Sequence, residues 1–335
     1  MHPSTGTVER GAPAPSRTGE PAVVTENLTK RYGSRAAVDG LSLTVHRGEV
    51  FGFLGPNGAG KTTTLRMLTG LVRPTSGSAE VLGRPAGESV SGIGALIEGP
   101  SFYPYLSGRD NLRVLARYAG APAGRIPQVL GTVDLLDRAD DRYGAYSLGM
   151  KQRLGVAAAL LKEPELVVLD EPSNGLDPAG ITDMRALLRT LAADGCTVVL
   201  SSHLLAEVEQ VCDRVAVVSR GRLVVQSTVQ DLVGLGRLVI EATPLADAAA
   251  VVTRVVGADR VSVVDGKLHV QTEPESAAGI NRALVRADVD VTGLRQEART
   301  LEEVFLQMTG PGADAPPPEE PPSRRRRGFR RAPGR

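Results

Sequence analysis

One run of eight residues constrains this chain more than any other feature: Gly55-Pro56-Asn57-Gly58-Ala59-Gly60-Lys61-Thr62 fits G-x-x-x-x-G-K-[ST] without exception. Residues 49–54 (EVFGFL) precede it and read as a buried strand; residues 61–71 (KTTTLRMLTGL) follow with apolar residues at helical spacing. A glycine-rich loop between strand and helix can turn successive backbone N–H groups inward around phosphate oxygens. The new helix offers its positive N-terminal end to the same anion. Lys61 can reach β- and γ-phosphates, and the Thr62 hydroxyl can ligate Mg²⁺. Residues 55–62, with Thr63 behind them, therefore form a candidate ATP site.

Such a site needs a carboxylate at the end of a second buried strand. Residues 166–171 (LVVLDE) supply it. Asp170 is placed to hold the metal, directly or through water, and Glu171 to act as general base toward water attacking the γ-phosphate. Further apolar runs at 197–200 (TVVL) and 215–218 (VAVV), separated by helical segments, predict an α/β fold with parallel strands buried on both faces. Residues 109–119 and 126–136 read as helices.

The texture changes near residue 235. A β-α-β-β-α-β order follows, with Asp265-Gly266 as the hairpin turn, which is the pattern of a small α+β ferredoxin-like unit closed by a short helix at 301–308. Residues 1–21 and 311–335 lack periodicity and are rich in Pro, Gly and, at the C-terminal end, Arg. The expected organisation is thus a disordered extension (1–21), a nucleotide-binding domain (22–235), an accessory domain (236–310) and a disordered tail (311–335).

Composition removes several classes of protein. No uncharged apolar run approaches the roughly 18 residues needed to cross a bilayer, and the N-terminus has no secretory apolar core. Cys196 and Cys212 lie in apolar stretches without metal-ligand spacing and read as buried free thiols. Aromatic residues make up 3% with no Trp, which argues against a base-stacking nucleic-acid platform. The net charge of +1 conceals an uneven distribution: seven Arg against three acids give residues 311–335 a charge of +4, leaving −3 elsewhere.

More specific text lies around the second carboxylate. Residues 147–153 (SLGMKQR) open a helix before it, 173–177 (SNGLD) follow it, and Ser201-Ser202-His203 ends the next strand. With these motifs the chain resembles the ATP-binding subunit of an ABC transporter over roughly residues 22–235. The resemblance implies a RecA-like core with an antiparallel β subdomain and a helical subdomain. It makes Tyr32 the aromatic that stacks on adenine. It places Ser147 and Gly149 in the signature segment that closes ATP bound to a second ATPase subunit, identical to the first in the simplest case. Residues 173–177 resemble the D-loop, and His203 the switch histidine that contacts γ-phosphate. It also implies a transmembrane permease partner and a peripheral position on the cytoplasmic face of the membrane.

Two departures stand out. In the signature, usually LSGGQ, Leu148 replaces the first glycine and Met150 the glutamine. In the loop that normally carries a metal-binding Gln, residues 93–100 (IGALIEGP) place Glu98. A carboxylate holds Mg²⁺ more strongly than an amide, and its added negative charge makes the site more dependent on the metal. This loop and residues 201–221 resemble the ATPases of bacitracin- and lantibiotic-type exporters, and the ending LEEVFLQMTG is similar to the accessory domain of exporter ATPases. The alternative is a non-transport ABC ATPase acting on DNA, ribosomes or cofactor assembly. The chain has neither the sustained heptads of DNA-repair members nor the second phosphate loop of translation-factor members. For the arginine tail three readings stand: a solvated end, a dock for anionic lipid, or a nucleic-acid contact.

Overall fold

The computed structural model describes residues 19–309, apart from 89–91, 235, 273 and 298–299. The expected disordered extension, residues 1–21, lies outside the described residues up to 18, but its end is ordered: Pro21 already pairs with His46 across the first two strands. The tail, 311–335, and all three readings of its arginines lie outside the described residues.

Two long strands open the fold, β1 (Pro21–Tyr32) and β2 (Arg35–His46). They form an antiparallel hairpin whose buried positions, Val23, Leu28, Leu41, Leu43 and Val45, face one side. Then come β3 (Val50–Leu54), α1 (Lys61–Leu68), β4 (Ser76–Val81), the two-residue β5 (Arg84–Pro85) and β6 (Ile93–Leu96). Three helices follow: α2 (Gly108–Ala119), α3 (Arg125–Thr132) and α4 (Leu148–Ala159). The chain returns to the sheet with β7 (Leu166–Asp170), α5 (Pro178–Ala193), β8 (Thr197–Ser202), α6 (Leu205–Val211), β9 (Arg214–Ser219) and β10 (Arg222–Thr228), and then α7 (Val229–Val233).

The central sheet runs β10-β9-β3-β8-β7-β6, parallel throughout except for β10, which pairs antiparallel at the edge. Its apolar residues alternate between two cores, as the period of two in a strand requires. Phe51, Phe53, Val168, Val199 and Ala216 pack toward α1 and the antiparallel sheet β2-β1-β4-β5. Val50, Leu54, Val167, Leu169, Val198 and Leu200 pack toward the helices on the opposite face. Strands β7 and β8 are buried along their whole length, which explains their uninterrupted apolar sequences. The edge strand β10 was not anticipated; its half-buried pattern lacks that signal.

The remainder is β11 (Arg237–Thr243), α8 (Leu245–Val256), β12 (Val261–Val264), β13 (Lys267–Gln271), α9 (Ala277–Arg286) and β14 (Asp290–Glu297). The sheet order β12-β13-β11-β14 is fully antiparallel, and α8 and α9 close a separate core around Leu238, Ile240, Leu268, Val270, Ile280 and Leu284. This is the anticipated β-α-β-β-α-β unit.

The last helix, α10 (Leu301–Thr309), behaves differently from a closing element of that unit. Leu301 is buried in the core of the nucleotide-binding body, with Phe305 packed against it, and Val304 is buried as well. The carboxylate of Glu209, on α6, accepts a hydrogen bond from the Leu301 backbone N–H at 2.9 Å and so satisfies one of the orphan donors of the helix start. The apolar positions of LEEVF therefore serve the ATPase side.

Candidate nucleotide site

The phosphate loop is held between two backbone walls that leave no room for side chains. A Cβ on Gly55 would lie 2.4 Å from the Val218 carbonyl oxygen, and one on Gly60 would lie 2.4 Å from that of Ala37. Gly60 also has φ +103, a conformation open mainly to glycine, and from it α1 begins. Residues 56–63 line an open cleft of about 450 Å³ together with Tyr32, Arg35, Ala37 and Glu171. The structure thus brings the loop, Tyr32 and Glu171 to one cavity.

Lys61 is nearly buried. It donates to the Gly55 carbonyl at 2.7 Å, and its ammonium is 3.4 Å from Glu171 Oε1. Glu171 Oε2 is in turn 2.7 Å from Nδ1 of His203. Glu171 follows β7 with a left-handed backbone, φ +51, of the kind that costs on the order of 1 kcal/mol and persists where its surroundings impose it. Its N–H donates to the Ser201 hydroxyl at 2.9 Å, which pins that backbone.

Ser201 has a second task. Its hydroxyl donates to Asp170 Oδ1 at 2.6 Å, and the same oxygen accepts from the Thr62 hydroxyl at 3.2 Å. One hydroxyl at the end of β8 therefore positions both acidic residues. The sequence reading singled out the Ser-Ser-His ending of that strand but gave Ser201 no role; a small hydroxylic residue at a strand end beside two carboxylates is the signal it carried. The hard oxygens of Thr62 and Asp170 converge, and they suit Mg²⁺. Among the described residues no three His, Cys, Asp or Glu side chains group as a metal site, so a cation here would complete its shell with phosphate and water oxygens.

Glu98 is placed elsewhere. It forms an ion pair with Arg66 on α1, with φ +63 and a largely exposed side chain. In this arrangement it does not share partners with Thr62 or Asp170.

A second cleft, of about 430 Å³, is lined by Ser147, Leu148, Gly149, Met150, Gly175 and Asp177 among others. Ser147 caps α4 by accepting from the Met150 N–H, so its hydroxyl stands at a helix N-terminus. Asp177 likewise caps α5 through the Gly180 N–H at 2.9 Å, with Pro178 at the first helical position. Leu148 is about half exposed and lies against Gly175, where an added Cβ would come within 2.9 Å of its Cδ2. Met150 packs inward on the core. The signature segment and the D-loop thus form one surface.

Such a loop, with two carboxylates at the end of β7, defines a nucleoside triphosphatase of the phosphate-loop class. Comparison narrows the class. Residues 38–174 match the ABC transporter family. The bacitracin transport ATP-binding protein BcrA of Bacillus licheniformis is 39% identical over 299 residues, 87% of this chain and 98% of that protein. The lantibiotic transport ATP-binding protein SrtF of Streptococcus pyogenes is 39% identical over 202 residues, 60% of this chain and 88% of its own. Among solved structures, cbiO1 from Clostridium perfringens, part of the ABC transporter complex cbiONQ, superposes with a TM-score of 0.58 at 27% identity, covering 64% of this chain and 90% of that one. The chain belongs to the ABC transporter ATP-binding proteins, and it is an ATPase subunit.

Proposed function

We propose that this chain powers the export of an antibiotic or peptide through a transmembrane permease by hydrolysing ATP in the cleft under the β1–β2 hairpin. The observation that carries the chemistry is the position of Glu171 between Lys61 and His203. On ATP binding, Lys61 and the loop amides take the phosphate oxygens, and Tyr32 stacks on the base. Glu171 accepts a proton from water as the water oxygen bonds to the γ-phosphorus, and the bond to the β–γ bridging oxygen breaks to release ADP. His203 holds Glu171 and contacts the γ-phosphate. Thr62 and Asp170 would hold Mg²⁺, which when bound neutralises phosphate charge; Glu98 joins them only by leaving Arg66.

Ser147 and Gly149 act on a second copy of the subunit, closing its nucleotide from the N-terminus of α4, and Asp177 links His203 to that copy. No helix among the described residues is long and apolar enough to cross a membrane, and the transport path is assigned to the permease partner. The subunit then works peripherally, on the cytoplasmic face. The names of its relatives favour antibiotic or peptide cargo, and their transport roles favour this reading over DNA, ribosome or cofactor-assembly work. Purification of the tagged full chain from detergent-solubilised membranes tests it. A multi-helix permease should co-purify, and ATP turnover by that complex should rise with bacitracin or a lantibiotic. Recovery with ribosomes or DNA and no permease would overturn the proposal.

A further inference from the structure

The β1–β2 hairpin turns through Gly33 and Ser34, and its closing residues, Tyr32 and Arg35, are direct cross-strand partners. Both line the nucleotide cleft. Arg35 reaches over the phosphate loop: the space that a Cβ on Gly58 would fill is 3.8 Å from its Nη2.

The cations around it already have partners. Lys61 is bonded to Gly55 and faces Glu171. Arg31 donates to the Ser34 carbonyl, Arg222 pairs with Asp39, and Lys30 donates to the Arg73 carbonyl while lying over the Tyr32 ring at 5.2 Å. The Arg35 side chain makes no hydrogen bond or ion pair among the described residues, though it is exposed at the edge of a cleft built for polyanions. An arginine offers a planar fork of donors that matches phosphate oxygens two at a time. A two-residue turn fixes its backbone beside that of Tyr32, so base contact and phosphate contact would be set by one rigid hairpin.

We infer that Arg35 is a nucleotide-binding residue that grips the phosphate chain from the hairpin side. The inference rests on the reading of the cleft as the ATP site. The ligand class is nucleoside di- and triphosphates alike, because the contact is made beside Gly58 and not at Glu171. Arg35 holds substrate in ground and transition states equally, so its loss appears in KM and Kd.

The test uses the full chain with fluorescent ATP and ADP analogues, titrated at low and at physiological salt. R35A should weaken both nucleotides about tenfold, with R35K in between because a point charge cannot grip two oxygens. The salt dependence of binding should become shallower in R35A, and KM for ATP should rise with Kd while the loss in kcat stays within about twofold. R35Q, which keeps length without charge, should match R35A, and unchanged melting of both variants shows that the fold is intact. Wild-type affinity in R35A and R35Q at both salts overturns the inference, as does a fall in kcat with unchanged Kd. Failure of the wild-type chain to bind either nucleotide would instead refute the site itself.

Discussion

Glu171 and His203 meet at 2.7 Å through Oε2 and Nδ1, although their backbones leave different strands, β7 and β8. The contact joins the imidazole to the carboxylate that lines the phosphate cleft. The mechanism predicts that E171Q keeps ATP binding and loses at least about 100-fold in turnover, because an amide cannot take the proton from water. H203A frees one carboxylate oxygen and should lower kcat with less effect on nucleotide affinity. Phosphate release and nucleotide titration measure both; normal turnover in E171Q removes Glu171 from the chemistry.

Glu98 presents a choice between Arg66 and the metal. If the carboxylate transfers to Mg²⁺ during turnover, E98Q should raise the Mg²⁺ concentration for half-maximal hydrolysis several-fold. Because the ion pair with Arg66 is surface-exposed, its loss should cost at most about 1 kcal/mol of stability. An unchanged Mg²⁺ profile means that Glu98 stays with Arg66 throughout the cycle.

Two truncations should behave oppositely. Removal of everything after Thr309 leaves the described core complete, and ATPase activity should survive. Removal from residue 300 onward strips Leu301 from the core and Phe305 from its edge, and leaves the Glu209 carboxylate without its helix. L301A alone should cost about 2–5 kcal/mol, seen as a lower midpoint in chemical denaturation.

Glu207, on α6, is raised above the ordinary glutamate range by burial, against the opposing hydrogen bond from Ser173. A carboxyl that binds its proton more tightly when folded favours the fold at low pH. That contribution is lost as pH climbs from the ordinary glutamate value through the raised one. E207Q should therefore melt about 1–2 °C above wild type at pH 7, and the difference should vanish at pH 4. A constant difference across that window would refute the coupling.

The thiols offer a separate test of burial. Desolvation pushes Cys196 up to about 12, and Cys212, deeper in the core, is raised as well. Neither should react with iodoacetamide at pH 8 while the protein is folded, and both should react in denaturant. Mass spectrometry of the labelled chain reads the outcome.

The phosphate loop, the two carboxylates and the uninterrupted strands β3, β7 and β8 were legible because each is a local pattern with one physical cause. Two loop positions, 55 and 60, admit no Cβ and so need glycine, and the central residues of a strand buried on both faces are apolar. What the sequence hid were relationships between distant segments. Ser201 gains its role only when β8 lies beside β7. Arg35 is one more surface arginine until the hairpin sets it over Gly58. Glu98 was expected near the metal from its place along the chain, but Arg66, five residues past Lys61 on α1, competes for it. The period of LEEVF showed an amphipathic helix but could not say which of two cores its apolar face would join.

The course of α10 changes what kind of appendage the smaller unit is. It leaves the ATPase body just after α7 and comes back to it at α6, so both of its ends are moored to the same part of the body. A lobe moored twice cannot swing like a pendant. The anchoring helix α6 starts at Leu205, two residues after His203, so the lobe is tied to the segment that carries the partner of Glu171.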